Sequence, residues 1–444
     1  MSTAAALGPE ALWQRLPQPH PAAGYCVAYS GGRDSHVLLH LVAALRPRLG
    51  VPVRALHVHH GLQAPADDWV EHCRRICREL GIPLQVERVQ CRAGPGISIE
   101  EAAREARYAA YERHLKVGEV LLLAHHQDDQ IETLLLRLLR GAGVHGLAAM
   151  PPSRPLGRGL LLRPLLDVPL AAIAAYAEAQ GLSWVEDPSN RDDAYDRNFL
   201  RNRLLPLLAE RWPGYARPLQ RAAALAREAA DLLDALAEQD LRQCAAGDGL
   251  DLEALRLLTE PRQRNLLRCW LRRQGLRPPA RERLQAGLKT LLEAAPDRSP
   301  ELAWDGVRLR RYRNRLLLDT EPEEVPAPFA WDLASPLELP GWRWQVESVI
   351  GAGLRAALRQ RRVEVRFRQG GERCRLAGER HSRSLKKLLQ ERGIPPWERE
   401  RLPLIYIDGE LAAVADLWVC DGFQAAPGEA GLRLVRIEKN APFC

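Results

Sequence analysis

Apolar and polar positions follow two alternating periods along the first 200 residues. Short, nearly unbroken apolar runs at 25–29, 53–60, 84–89 and 120–124 predict strands buried on both faces. Between them, apolar residues recur at helical spacing. One amphipathic helix starts at about His36. A second covers 66–80 through Val70, Cys73, Ile76 and Cys77. A third covers 99–117, and a fourth, 130–140, is ended by Gly141-Ala142-Gly143. Strands separated by helices predict an α/β fold with a doubly wound parallel sheet. Ligands bind such sheets beyond the carboxyl ends of the strands. Ser30, His59-His60 and the stretch 125–129 all fall at such ends, so one crevice can gather them.

The pattern changes near Trp212-Pro213-Gly214. From Ala216 to about Glu293 the chain reads as almost wholly helical, with breaks at Gly247-Asp248-Gly249 and Pro278-Pro279. Strand-like pieces follow from about 302 to 349, such as 307–312 and 315–318. The proline-rich stretch 321–329 reads as a linker. Beyond about Arg362, short strands flank one basic helix at 382–392. The expected division is therefore an α/β domain at 1–213, a mainly helical domain at 214–320, a linker with strand segments at 321–361, and a small α+β domain at 362–444. No repeat is visible.

Composition adds little to the fold and more to the partners. The 444 residues are 46% hydrophobic, ample for several cores, and carry a net charge of +7. Arginine supplies nearly all the positive charge. Its planar fork suits phosphate, and basic globular proteins often bind nucleic acid. A GC-rich genome writing arginine for lysine produces the same bias, so both origins stay open. The nine cysteines are scattered; Cys73 and Cys77 stand four apart, which is neither a CxxC pair nor a zinc pattern. An odd count without a framework predicts reduced thiols in a cytosol. The N-terminus has no basic-then-apolar leader, and no apolar run approaches the ~18 residues of a membrane span. A cytoplasmic protein with no membrane contact is expected.

The first strand runs into Ser30-Gly31-Gly32-Arg33-Asp34-Ser35 and then directly into a helix. The glycines permit positive φ and close approach of a phosphate. Ser30 and Ser35 offer hydroxyls, and the helix start offers backbone N–H groups. The loop has neither the spacing and lysine of a Walker loop nor a GxGxxG. It suits a pyrophosphate leaving group, which points to ATP cleaved between its α and β phosphates to adenylate a substrate. Asp34 can hold Mg²⁺ against the triphosphate. An ordinary Gly-Gly turn with a capping side chain gives the same letters, and its place after the first strand favours the phosphate reading.

A second cluster, His125-His126-Gln127-Asp128-Asp129-Gln130-Ile131-Glu132, sits at a later strand-to-helix junction. Asp129 and Glu132 share a helical face. They can hold an amine and accept its proton, although Asp-x-x-Glu is also a helix-start pattern. His57, His59 and His60 close the second strand, as nucleotide contacts or polar packing; a zinc site is disfavoured because no cysteine partner or HExxH accompanies them. Arg104 and Arg107, one turn apart with Tyr108, fit either a solvated face or a phosphate contact. Arg197, Arg201 and Arg203, framed by asparagines after Asp187-Pro188-Ser189-Asn190, fit either a charged helix start or an RNA contact. Near the C-terminus, Arg373, Arg383, Lys386 and Lys387, followed by Trp397, form a basic and aromatic patch that fits RNA.

Taken together, several segments resemble the tRNA(Ile)-lysidine synthetase family, a bacterial branch of the N-type (PP-loop) ATP pyrophosphatases. They are 30–35, 57–62, 100–108, 124–133, Arg137 to Gly143, Arg163-Pro164-Leu165-Leu166, 187–203, 370–373, 381–387 and 395–399. The glycine loop alone is shared with other synthetases of that fold; the AHHxDDQxET segment narrows the resemblance to tRNA-modifying relatives, and the C-terminal runs narrow it to the long lysidine synthetases. The resemblance implies a Rossmann-like PP-loop catalytic domain at 1–213, a tRNA- and substrate-binding domain at 214–320, and a tRNA-binding domain at 362–444.

It also implies a reaction. ATP, with Mg²⁺ at Asp34, adenylates the C2 oxygen of the wobble cytidine in a CAU-anticodon tRNA(Ile), and free L-lysine then displaces AMP. The resemblance places ATP at Ser30, Gly31, Gly32, Arg33, Asp34, Ser35 and His60. It places lysine at Asp129 and Glu132, with catalysis shared among Asp34, Asp129, Glu132 and Arg104. The tRNA falls to Arg107, Arg201, Arg203, Arg373, Arg383, Lys386 and Lys387. A homodimer is left open. The rival reading is a PP-loop tRNA thiolase, which would need a cysteine placed near the crevice; Cys26 and Cys91 are poorly placed for that.

Overall fold

The computed structural model describes residues 7–18, 23–61, 66–90, 99–295, 298, 300–320, 325–339, 342–376 and 379–438. Leu62, Cys91 and the first residues of the expected linker, 321–324, lie outside them. The chain divides into two compact units, Met1–Leu233 and Asp234–Cys444.

The first unit is built on β1 (Tyr25–Ala28), β2 (Val53–His59), β3 (Leu84–Arg88), β4 (Val120–Leu122), β5 (Ser153–Leu156) and β6 (Gly159–Leu162), in the spatial order β3-β2-β1-β4-β6-β5. All neighbours run parallel except β5, which pairs antiparallel with β6. Alternation along the central strands divides the core. Tyr25 and Val27 of β1 and Tyr29 just after it, with Val120 and Leu122, join Leu38, Leu41 and Val42 on one face. Cys26, Ala28 and Leu121 join Leu56, Ala110 and Tyr111 on the other. Both faces are covered, as a parallel sheet requires.

Helices α1 (Pro9–Trp13), α2 (Arg33–Leu49), α3 (Ala66–Glu79), α4 (Ile99–His114) and α5 (Gln127–Leu139) follow in chain order. Then come α6 (Val144–Leu147), α7 (Leu170–Ala179), α8 (Asp196–Phe199), α9 (Leu205–Arg211) and α10 (Ala216–Cys244). A π-helical turn, Leu200–Leu204, joins α8 to α9. The strand order reverses between β1 and β4, and the loops leaving those two strands open α2 and α5. The crevice of a doubly wound sheet lies at that switch point.

The sheet also contains a buried ion pair. Arg54 on β2 donates to Glu119, just before β4, from Nε at 2.7 Å and Nη2 at 2.6 Å, while the Lys116 N–H donates to the same carboxylate at 3.0 Å. Glu119 is 2% exposed. Glu119→Ala removes the acid and leaves a buried guanidinium unpaired, so unfolding free energy should fall by about 3–5 kcal/mol. Urea denaturation measures this; a loss under ~1 kcal/mol would show the pair to be dispensable.

In the second unit, helices α11 (Leu252–Arg256), α12 (Glu260–Arg273) and α13 (Arg281–Glu293) pack their leucines with the sheet Ala245–Ala246, Gly249–Asp251, Arg315–Thr320, Val307–Tyr312, Glu301–Trp304. The break expected at Gly247 is therefore the turn of a short hairpin. Its C-terminal part packs a five-stranded and a four-stranded sheet around one core, with α14 (Leu385–Glu391) in place of the basic helix expected at 382–392. No helix among the described residues is long and apolar enough to cross a membrane.

Candidate active site

Chain geometry makes the loop after β1 a cradle. Gly31 has φ +90°, and a Cβ there would stand 2.9 Å from Val185 Cγ2 and 3.0 Å from Cys73 Sγ, so neither the backbone nor the space admits a side chain. Gly32, expected from the sequence to supply positive φ, is extended at φ −75° and caps α2 instead. The serines brace the loop. Ser35 Oγ donates to the Gly32 carbonyl at 2.9 Å and accepts from the Ser30 N–H at 3.2 Å, and the Gly32 N–H donates to Ser30 Oγ at 3.3 Å. Two outside contacts fix the cradle: the Val185 N–H donates to the Gly31 carbonyl at 3.1 Å, and His36 Nδ1 lies 2.7 Å from the Ser183 carbonyl. His57 does the same for the strand end, donating from Nδ1 to the Tyr29 carbonyl at 2.9 Å. Arg33 pairs with Asp34 at 3.2 Å.

His126 joins this loop to α5. Its Nε2 lies 3.5 Å from Asp34 and 3.4 Å from Asp129, and its Nδ1 lies 3.6 Å from Asp128. Burial alone would discharge it, but the surrounding carboxylates, Asp128 and Asp34 foremost, outweigh burial and push its pKa up to about 10. Burial works to raise Asp129 as well, yet the charges of His126 and Arg197 hold it at about 2. The Asp129 carboxylate also accepts from the His126 N–H at 3.0 Å, so the capping role and the charge role fall on the same side chain. The helix starts three residues before the expected Gln130, because His126 is its N-cap.

Asp129 and Glu132 meet two arginines 65 to 72 residues further along the chain. Arg197 on α8 donates to Glu132 at 2.7 Å and to Asp129 at 2.7 Å. Arg201, in the π-helical turn, donates to Glu132 at 2.7 and 3.1 Å and to Asp129 at 3.2 Å. Glu132 is fully buried, and only an edge of Asp129 is open, at 7%. Arg201, read from sequence as an RNA contact, is thus bonded to the acids. Arg203 pairs with Asp193 at 2.7 Å and is largely exposed.

Beyond the switch point, burial pushes His60 down to about 4, with the charge of Arg107 adding to the effect. His125 is pushed down to about 3, again mainly by burial, and its Nδ1 accepts from Arg163 Nε at 3.0 Å, which leaves its proton on Nε2. The sequence placed His126 only among the histidines read as nucleotide contacts or polar packing, and gave Arg163 no role although it stands inside a segment singled out there. Arg104 stacks over Tyr108 at 5.8 Å. The Glu100 side chain lies outside the described residues.

In the second unit Arg383 is neutralised by Glu391 at 2.6 Å and Glu379 at 3.5 Å, and Arg373 donates to Ser382 at 3.0 Å. Lys386 and Lys387 are exposed on α14. Trp397 packs against Tyr312 at 6.0 Å with Arg310 over it at 4.9 Å, so its ring faces protein.

The PP-loop domain family matches residues 10–208, the TilS substrate binding domain 250–317 and the TilS substrate C-terminal domain 363–436. The tRNA(Ile)-lysidine synthase of Alkalilimnicola ehrlichii is 48% identical over 435 residues, which cover 95% of this chain and 96% of that one. The chain belongs to the tRNA(Ile)-lysidine synthase family. The synthase of Pseudomonas aeruginosa is also 48% identical, over 438 residues and 95% of both chains. Among solved structures, the U34-tRNA thiolase NcsA from Methanococcus maripaludis covers 49% of this chain and 78% of its own at 16% identity, with a TM-score of 0.42. Membership of the synthase family disfavours the thiolase reading. The described cysteines of the first unit disfavour it too. Cys26, Cys73 and Cys77 are all buried, and burial pushes their thiols up to about 12, away from the reactive thiolate.

Proposed function

We propose that this chain joins free L-lysine to C2 of the wobble cytidine in a CAU-anticodon tRNA(Ile), in two steps driven by ATP. Family membership over nearly the whole chain supports the reading, and one observation carries it. His126 stands between Asp34 of the phosphate loop and Asp129 of the acid pair, so a nucleotide activated at the first lies beside an amine held at the second.

In the first step the cytidine O2 attacks the α-phosphorus of ATP and the α–β bond breaks, releasing pyrophosphate. The loop of Ser30, Gly31, Gly32, Arg33, Asp34 and Ser35 receives the phosphates, its N–H groups and the start of α2 stabilising the leaving charge. His60, neutral under these conditions, borders the nucleotide. Among the described residues no three His, Cys, Asp or Glu side chains are grouped to hold a metal by themselves. Mg²⁺ needs only one or two carboxylates beside phosphate oxygens and water, and Asp34, about one-third exposed, fits that use. Bound there, Mg²⁺ would shield triphosphate charge.

In the second step the neutral ε-amine of lysine forms a bond to C2, the C2–O2 bond breaks, and O2 leaves with AMP. A carboxyl held at about 2 stays ionised and takes a proton poorly. Asp129 therefore anchors an ammonium group of lysine rather than deprotonating the attacking one. Glu132, without exposure, holds Arg197 and Arg201 in place, and those forks can receive the lysine carboxylate. Arg104 reaches the phosphate of the activated nucleotide; Arg107, Arg203, Arg373, Lys386 and Lys387 contact the tRNA, Arg201 serves the lysine site with the two acids, and Arg383 contributes through its acidic partners. Catalysis belongs to 1–213, and 214–320 and 362–444 add tRNA-binding surface to that of the catalytic domain, in the cytoplasm.

Purified protein with ATP and an unmodified CAU tRNA(Ile) should release pyrophosphate, and AMP release should require lysine. AMP release that ignores lysine and demands a sulfur donor would install the thiolase reading instead.

A further inference from the structure

Six arginines of the first unit share a neighbourhood that lacks counter-charge. Arg163 is 5% exposed. Besides His125 it donates to the Pro151 carbonyl at 2.7 Å and the Tyr108 hydroxyl at 3.3 Å, all neutral acceptors. Arg104 and Arg154 stand over the Tyr108 ring at 5.8 and 5.1 Å. Arg137 donates to the carbonyls of Gly146 at 3.0 Å and Ala149 at 2.8 Å, and Arg227 on α10 donates to Met150 at 2.8 Å. Arg107 buries an Nε that has no acceptor. Among the described residues no ion pair joins any of the six to an acid; the charge of Asp231, one turn from Arg227, acts on Arg227, and that of Asp129 acts on the neighbouring His125. The crowding is felt. Burial, with a smaller push from neighbouring arginines, makes Arg137 and Arg163 easier to deprotonate than a free guanidinium, although Tyr108 works the other way at Arg163.

Buried charge without a counter-ion is costly, and carbonyl bonds satisfy the N–H groups without cancelling the charge. Access is open. Arg163 and Arg227 line a groove of about 990 Å³, where Arg217 and Arg221, one turn apart on α10, also stand. Asp167, already bonded to Arg15, and Glu228 and Asp231 line it too, so arginines outnumber acids.

We propose that Arg104, Arg107, Arg137, Arg154, Arg163 and Arg227 form an anion site that takes phosphodiester groups of an RNA strand entering along the groove beside α10. The proposal rests on the RNA-modifying reading above. A strand fits better than a lone nucleotide because the phosphate cradle for ATP is already built at the end of β1, while these cations are spread over α4, α5, α10, β5 and the residue that follows β6, as successive phosphates require.

The test is the salt dependence of binding to unmodified CAU tRNA(Ile), read by fluorescence anisotropy between about 50 and 200 mM KCl. Arg154→Ala should weaken low-salt binding about tenfold and flatten the slope of log K on log [salt] by about 0.7, and adding Arg227→Ala should flatten it by about as much again. A second arm compares sulfate with chloride at fixed ionic strength. Sulfate should raise the unfolding midpoint of the wild-type protein, and raise it less in the double variant. If the arginines only staple the 146–151 loop, the double variant will have a lower midpoint but an unchanged salt slope and sulfate response, and the proposal fails. Sulfate protection with no tRNA binding by the wild type would instead overturn the RNA reading on which the proposal rests.

Discussion

Asp34→Asn should leave the protein folded and lower tRNA-dependent pyrophosphate release by at least about a thousandfold. The side chain is about one-third exposed and its partners are Arg33 and His126, so its removal opens no cavity. It does remove the only carboxylate of the loop, and with it the group that would hold Mg²⁺ against the triphosphate. Burial acts to raise its pKa, but His126 and Arg33 outweigh burial and hold the carboxyl below its ordinary range, so it is charged throughout the neutral region. Asparagine keeps the size and loses that charge. The first-turn position on α2 adds a cost of about 0.3–1 kcal/mol from the helix dipole, too small to unfold the domain. The measurement is single-turnover pyrophosphate release with saturating ATP and tRNA. Release within tenfold of wild type would remove Asp34 from the phosphate site.

The same loop marks what the sequence could convey. β1 to β4 were legible because strands buried on both faces are short apolar runs, and the loops after β1 and β4 were legible because a phosphate cradle and an N-cap have local chemistry. The β5–β6 hairpin was missed. Ser153–Leu156 contains a proline and is mostly exposed, which an edge strand tolerates, and only the short run Gly159–Leu162 carries an apolar signal. The partners of Asp129 and Glu132 were missed for another reason. Arg197 and Arg201 stand four apart, as if to share a helical face, and the two acids stand three apart, but nothing local says that one pair faces the other across some seventy residues. Trp397 had the composition of an RNA surface and the contacts of a packed ring, and only the fold separates those.

Replacing both acids, Asp129→Asn with Glu132→Gln, should raise the lysine concentration for half-maximal AMP release by about a hundredfold or more, while pyrophosphate release without lysine stays within severalfold of wild type. The magnitude follows from losing a charged hydrogen bond to the substrate, about 1.5–3 kcal/mol, together with the anchoring of two guanidiniums. The split follows from the geometry, because Asp34 and the cradle keep their own partners. A pH experiment separates charge from shape. The pKa of His126 is raised from 6.5 to about 10, so its stabilisation is complete below pH 6.5 and is lost as pH rises through about 10. Wild-type stability should therefore decline across that alkaline window. In the double variant His126 keeps Asp34 and Asp128 but loses the charge of Asp129, so its pKa drops and the decline becomes shallower and ends earlier. Urea midpoints at intervals from pH 6 to 10 read this directly. Identical pH profiles for the two proteins, or an unchanged lysine requirement, would dissolve the link between Asp129 and His126 on which the proposed coupling of adenylation to amine attack depends.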